Sequence, residues 1–194
     1  MLFRSGPCDP GYYCLTGSSI SNPRDNLTGN VCMRGHYCPS GTSDPIKCPI
    51  GTFSNSLQNS NKSDCRPCTE GKYCETQGLL RPTGDCDRGY YCPPGQSSKR
   101  PAKYKCTPGH YCPNGSSNER PCESGSYQDE YSQWKCKECP NGFYCDASIL
   151  NFTNCEHGVQ LPKPCPRGYY CPNGTAEFHV YGCPNGLYLL YFYH

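Results

Sequence analysis

Two cysteine pairs in this chain, Cys65/Cys68 and Cys136/Cys139, stand at the Cys-x2-Cys spacing that serves either a thiol redox couple or half of a tetrahedral zinc site. Both chemistries need reduced thiols in a suitable frame, a strand running into a helix for the redox couple or a second ligand pair for zinc. No strand-helix context flanks either pair, a zinc protein would need most of these thiols reduced, and both pairs sit inside a dense repeat of further cysteines, so structural disulfides are the expected use. His36 and His110 invite a metal reading, yet they fill a slot that elsewhere holds Tyr12, Lys72, Tyr90, Phe143 or Tyr169. A slot that accepts Lys and Phe reads as a tolerant surface position. His157, His179 and His194 have no ligand spacing. The acidic residues form no paired carboxylate site, no Gly-x-Ser-x-Gly or phosphate-cradling loop occurs, and the Asp-rich signature of a calcium-binding growth-factor module is missing. The sequence therefore predicts no catalytic residue, no metal and no cofactor.

What positions these cysteines is a repeat. Cys-x2-Gly-x-Tyr-Cys is written seven times, beginning at Cys8, Cys32, Cys68, Cys86, Cys106, Cys139 and Cys165. The Gly permits a left-handed turn between two sulfurs, and the Tyr offers a flat apolar face beside them. A second motif alternates with it: Cys-x2-Gly-x-aromatic, a polar loop, then Cys-x2-Cys. It runs from Cys48 to Cys65/Cys68 and from Cys122 to Cys136/Cys139, and Cys183 opens a third copy. Cys32, Cys38 and Cys48 recur as Cys106, Cys112 and Cys122, so a super-repeat underlies the whole chain.

Composition fits cross-linked modules better than an ordinary core. Leu, Ile, Val, Met and Phe together make 26 of 194 residues, too few for an apolar interior. Twenty cysteines are enough for ten bridges. With 21 Gly and 20 Pro, no window sustains a helical period. The recurring Cys-Pro-x-Gly at Cys38, Cys92, Cys112 and Cys171 is turn chemistry. The fold class predicted is small and disulfide-rich: an elongated tandem array of short β-hairpin and turn modules with little or no helix, each module contacting mainly its neighbours.

Such cysteine density belongs to an oxidising compartment. Five sequons, at Asn26, Asn61, Asn114, Asn151 and Asn173, agree with an extracellular or cell-surface location and are the expected glycan acceptors. The formal charge is only +2 with scattered basic residues, which leaves no electrostatic case for nucleic acid or an anionic membrane. Partners are expected to be proteins or glycans outside the cell. Trp134, the single Trp, lies in the polar loop after Cys122 and is the best candidate for an interaction hot spot, with capping of its own loop as the alternative. Tyr12, Tyr90 and Tyr169 are candidates for exposed contact, whereas the Tyr immediately before each closing Cys is expected to pack on its own disulfide.

The stretch Cys122 to Cys145 (CESGSYQDEYSQWKCKECPNGFYC) resembles the ephrin-receptor-like cysteine-rich repeat, akin to the cysteine-rich modules of tumour-necrosis-factor receptors and the furin-like regions of growth-factor receptors. Cys48 to Cys74 is similar with a longer loop. The resemblance implies that Cys48 pairs with Cys65 and Cys122 with Cys136. The six cysteines between these pairs form an even set that could close on itself. Beyond Cys136, Cys155 is the member without a Gly-x-Tyr-Cys continuation, and the remaining connectivity stays open.

The reading divides the chain into partial repeats (1–47), a complete super-repeat (48–121), a second one (122–182) and a last piece (183–194) that starts a further module or is artefactual. No secretory h-region follows Met1, and the apolar stretch from Leu187 is too short for a span. The expectation is a fragment of a larger secreted or cell-surface protein, attached to a membrane only through other parts of its parent. Its expected role is that of a non-enzymatic spacer, adhesion or matrix-interaction segment; the alternative is a ligand-binding segment of a signalling receptor.

Overall fold

The computed structural model describes residues 6–148 and 158–182. Nine disulfides organise them: Cys8–Cys14, Cys32–Cys38, Cys48–Cys65, Cys68–Cys74, Cys86–Cys92, Cys106–Cys112, Cys122–Cys136, Cys139–Cys145 and Cys165–Cys171. Every Cys-x2-Gly-x-Tyr-Cys copy thus closes on itself, and the two loop-bearing copies close across their loops. Numbered by bridge, the described residues form nine modules. Cys155 and Cys183 lie outside the described residues, as do Asn151 and the segment 183–194.

Each module is one small hairpin. Seven of them are two-stranded antiparallel sheets: β1 (Tyr12–Cys14) with β2 (Gly29–Val31), β3 (His36–Tyr37) with β4 (Ile46–Lys47), β5 (Thr52–Phe53) with β6 (Arg66–Pro67), β7 (Lys72–Tyr73) with β8 (Gly84–Asp85), β9 (His110–Tyr111) with β10 (Arg120–Pro121), β11 (Ser126–Tyr127) with β12 (Lys137–Glu138), and β13 (Phe143–Tyr144) with β14 (Lys163–Pro164). The other two modules keep a single bridge, Tyr90 to Lys105 and Tyr169 to Gly182. The only helical turns among the described residues are two 3-10 segments, Lys62–Asp64 and Phe178–Val180. The first strand is the end of the cysteine motif; the return strand leads into the next opening cysteine. Strands this short persist because a disulfide closes the turn beside them, where an isolated hairpin would be marginal.

The chain forms two compact units, Met1–Cys86 with Cys92–Pro101, and Asp87–Tyr91 with Ala102–His194. The interior of both is sulfur: Cys32, Cys38, Cys48, Cys68, Cys74, Cys86 and Cys92 in the first and Cys106, Cys112, Cys139 and Cys145 in the second are completely buried. In the second unit Val159 joins Cys139 and Cys145, with Tyr127 and Ala147 packed against them.

Successive modules are joined by a repeated set of backbone hydrogen bonds. In the first unit, Gly11 N donates to Cys38 O and its carbonyl accepts from Cys32 N, both at 2.8 Å; Cys14 N donates to Thr42 O (3.0 Å) and Gly41 N to Cys8 O (2.8 Å). In the second unit the same four bonds run from Gly142 N to Cys171 O, Cys165 N to Gly142 O, Cys145 N to Thr175 O and Gly174 N to Cys139 O. The motif Gly uses both of its backbone groups this way from Gly11 through Gly142. Contact also reaches the next module but one: a Cβ on Gly35 would lie 2.3 Å from Gly78 O, and one on Gly125 would lie 2.7 Å from Gly174 O. These glycines have φ of +76° and +89°, so turn geometry and close backbone approach both exclude a side chain.

The two loop-bearing modules keep this scheme without the second cysteine of the short motif. Ser54 and Gln128 stand six residues after Cys48 and Cys122, both buried. Their carbonyls accept from Gly35 N and Gly109 N, and their own N–H groups donate to Leu79 O and Val159 O, which is the backbone role of the closing cysteine elsewhere. The sulfur partner then comes from the far side of the loop.

Candidate interaction surface and glycan sites

Trp134 is held out on an ordered loop. The buried Gln128 amide donates to Lys135 O at 2.8 Å and its oxygen accepts from Glu130 N at 3.1 Å, tying the loop to its own strand. Lys137 pairs with Asp129 at 2.6 Å and with Glu130 at 3.4 Å across the loop base. The hydrogen bond from Lys137 holds the Asp129 carboxyl below its ordinary range, with burial opposing; the same bond raises the Lys137 ammonium. On this base Trp134 is 45% exposed and Tyr131 63%. Two cations flank the indole: the Arg88 guanidinium lies 5.7 Å from the ring centroid and Lys135 Nζ 5.1 Å. Trp134 is thus both presented to solvent and engaged by its own surroundings.

The three tyrosines expected at the surface separate into different settings. Tyr12 is only 7% exposed, which corrects the expectation for that residue. Its hydroxyl accepts from Arg24 Nη2 at 2.6 Å and Gln58 Nε2 at 3.2 Å, and the Arg24 guanidinium lies 5.5 Å from the ring centroid. Tyr90 is half-buried beside Lys105. Tyr169, also half-buried, meets Phe178 edge-on at 5.2 Å, and Phe178 in turn meets the buried Tyr144 at 5.1 Å. Of the Tyr residues before a closing cysteine, Tyr91 packs across its hairpin on Tyr104 and Tyr170 on Tyr181, both at 5.3 Å, and in a loop module Tyr127 lies beneath Lys137. Tyr170 nevertheless remains largely exposed.

His110 is the second correction. It is 5% exposed and not a surface residue, with its Nδ1 beside Thr107 Oγ1 and Pro108 O. Thr107 Oγ1 lies 3.2 Å from His110 Nδ1 and donates to Glu119 Oε2 at 2.9 Å, and Thr107 N donates to the same oxygen at 3.0 Å. In the matched copy around His36 the corresponding positions are Met33 and Pro45, and His36 is half-buried. Among the described residues no group of three His, Cys, Asp or Glu could hold a metal ion.

Four sequons fall on described residues, and all four asparagines are exposed. Asn26 occupies a left-handed turn at φ +61°. Its neighbour Asp25 accepts from Leu27 N, Thr28 N and the Thr28 hydroxyl, bonds that hold the Asp25 carboxyl low. Asn61 precedes the 3-10 turn, whose Asp64 carboxylate accepts from Asn61 N and Ser60 N and is lowered by them; the sequon hydroxyl of Ser63 is exposed. At Asn114 and Asn173 the hydroxyl residue is buried: Ser116 is 3% exposed and Thr175 2%. Ser116 Oγ donates to Pro113 O at 2.7 Å and Thr175 Oγ1 to Pro172 O at 2.6 Å. Thr42, in the turn after Cys38 where no sequon exists, makes the same bond to Pro39 O at 2.6 Å. That hydroxyl belongs to the Cys-Pro-x-Gly turn, a role that sequence reading missed and that the recurrence of Ser or Thr after the turn Gly could have signalled.

No family model matches the chain. Among curated proteins it is similar to ABC transporter G family member 25 of Oryza sativa subsp. japonica, 30% identical over 147 residues that make 68% of this chain and 13% of that protein. It is also similar to the ABC-type transporter claG of Penicillium crustosum, 42% identical over 41 residues, 21% of this chain and 4% of that protein. The chain spans only a small fraction of the length of these relatives.

Proposed function

We propose that this chain is a non-enzymatic, disulfide-stapled repeat segment of a larger protein, placed on the extracellular or lumenal side of a membrane, where it serves as a spacer or adhesion element. One observation carries the reading: the buried residues are mostly half-cystines, and every described cysteine is bridged. A chain whose buried surface is sulfur and whose strands are two or three residues long has no alternative core to fall back on in a reducing compartment. The resemblance to ephrin-receptor-like repeats points the same way. The partial similarity to two proteins named as ABC transporters supports a membrane-embedded parent, of which this chain is an extramembrane segment.

The test is alkylation of native secreted material followed by intact mass. The reading expects at most two modified cysteines, Cys155 and Cys183, and twenty after reduction and unfolding. Folded material with all twenty thiols free overturns it.

A further inference from the structure

We infer that Asn114 and Asn173 accept glycan only while their modules are still open, so that occupancy at these two sites records how fast the bridges around them close. In cells this rests on the extracytoplasmic reading above; the chemical argument does not. In N-glycosylation the Asn Nδ2 attacks C1 of an oligosaccharide carried on a lipid pyrophosphate. The C1–O bond to the pyrophosphate breaks, one amide proton is lost, and the lipid pyrophosphate leaves. The transferring enzyme must read the amide and the hydroxyl two residues later in one extended peptide.

At Asn61 both the Asn and Ser63 are exposed, and the sequon lies in a surface 3-10 turn closed by Asp64 N on Asn61 O, so presenting it extended means unwinding that one exposed turn. At the other two sites the hydroxyl residue is buried as well. Ser116 and Thr175 are buried with their protons committed to Pro113 O and Pro172 O. The backbone is committed too: Ser116 N and Thr175 N each donate to the same proline carbonyls at 3.2 Å, closing a turn incompatible with an extended peptide. At Asn173 the restraint reaches the preceding module, because Gly174 N donates to Cys139 O and Thr175 O accepts from Cys145 N. Reading either sequon therefore requires the turn to open.

A glycan already in place does not prevent closure. Asn114 and Asn173 are exposed, and the equivalent turn position holds Ser40 or Pro94 in other copies, so the slot faces outward and tolerates varied groups. Glycosylation and bridge formation are thus ordered events at these sites.

The test uses the 194-residue chain made without glycans, in oxidised and in reduced form, with a purified oligosaccharyltransferase and a lipid-linked oligosaccharide; occupancy is read by peptide mass spectrometry. Asn61 should be modified in both forms. Asn114 and Asn173 should be modified in the reduced chain and at least roughly tenfold more slowly in the oxidised one, a ratio that needs only about 1.4 kcal/mol of opening cost. The Ser40→Asn variant, which writes Asn-Gly-Thr onto the turn carrying the Thr42 bond, should behave like Asn173. Equal rates in the two forms, or no modification of Asn114 and Asn173 in the reduced chain, overturns the inference. Complete absence of glycans on material from secreting cells would count against the extracytoplasmic reading and leave this comparison intact.

Discussion

A methyl group on Gly89 would lie 2.1 Å from the backbone oxygen of Ser132, a residue two modules further along the chain. Gly168 occupies the matching motif position with a similar φ, +86° against +82°, yet among the described residues nothing lies within 4 Å of its missing Cβ. The pair separates conformational strain from steric exclusion. Gly168→Ala should cost about 1–2 kcal/mol, the penalty of an L-residue in the left-handed region. Gly89→Ala should cost a further 1–3 kcal/mol, about what overpacking costs. Urea midpoints of the oxidised variants measure both, and equal losses would mean that the Ser132 carbonyl yields freely.

Bridge length gives a second ordering. Cys48–Cys65 closes a separation of 17 residues and Cys68–Cys74 one of 6, with all four sulfur-bearing residues buried. Restriction of the unfolded chain alone predicts about 3 kcal/mol for the long bridge and about 2 kcal/mol for the short one. Paired Cys→Ala variants should rank in that order in denaturant, with the Cys48/Cys65 variant less stable.

Acid should destabilise the protein through three carboxylates. Asp25, Asp64 and Asp129 are each held below the ordinary value of 3.8, the first two chiefly by backbone N–H donors and the third by Lys137. A depressed folded value means stability present above the unfolded pKa and lost as pH falls from about 4 through the folded one. Urea midpoints should be flat from pH 7 to about 5 and fall below about 4. Asp129→Asn should flatten part of the fall. Lys137 has the opposite sign: its raised value contributes stability below its unfolded pKa that is lost as pH rises through the folded one, so Lys137→Met should weaken the alkaline slope.

Trp134 is the single indole, and its two cationic neighbours make it a reporter. Iodide should quench its fluorescence better than caesium, because Arg88 and Lys135 attract the anion and repel the cation. Lys135→Ala and Arg88→Ala should each narrow that difference. Arg88→Ala should also cost about 0.5–1 kcal/mol, the usual range for an exposed cation over an aromatic ring. Identical quenching by both ions in the parent chain would place the cations away from the ring in solution.

The hairpin array was legible from the sequence because the repeat itself is the fold: Cys-x2-Gly-x-Tyr-Cys names a bridge, a left-handed turn and the start of a strand. What escaped depended on partners distant in sequence or different between copies. Nothing near Tyr12 announces Gln58, 46 residues later, as a donor to its hydroxyl. His110 looks interchangeable with His36 until Thr107 and Glu119 are seen to replace Met33 and Pro45 around it. Ser54 and Gln128 read as ordinary loop residues, although each carries the backbone bonds of an absent cysteine. Ser116 and Thr175 were hidden by overlap, since one hydroxyl satisfies both a sequon and a turn.

The seam from Gly11 to Cys32 and Cys38 is written almost wholly in main-chain atoms, and the seam from Gly142 to Cys165 and Cys171 repeats it. An inserted or deleted copy would therefore find the main-chain part of its docking partner ready-made, whatever side chains it carries outward. Reach becomes a matter of arithmetic, and a lineage can lengthen or shorten such a segment by duplication while its outward residues drift without endangering the joints.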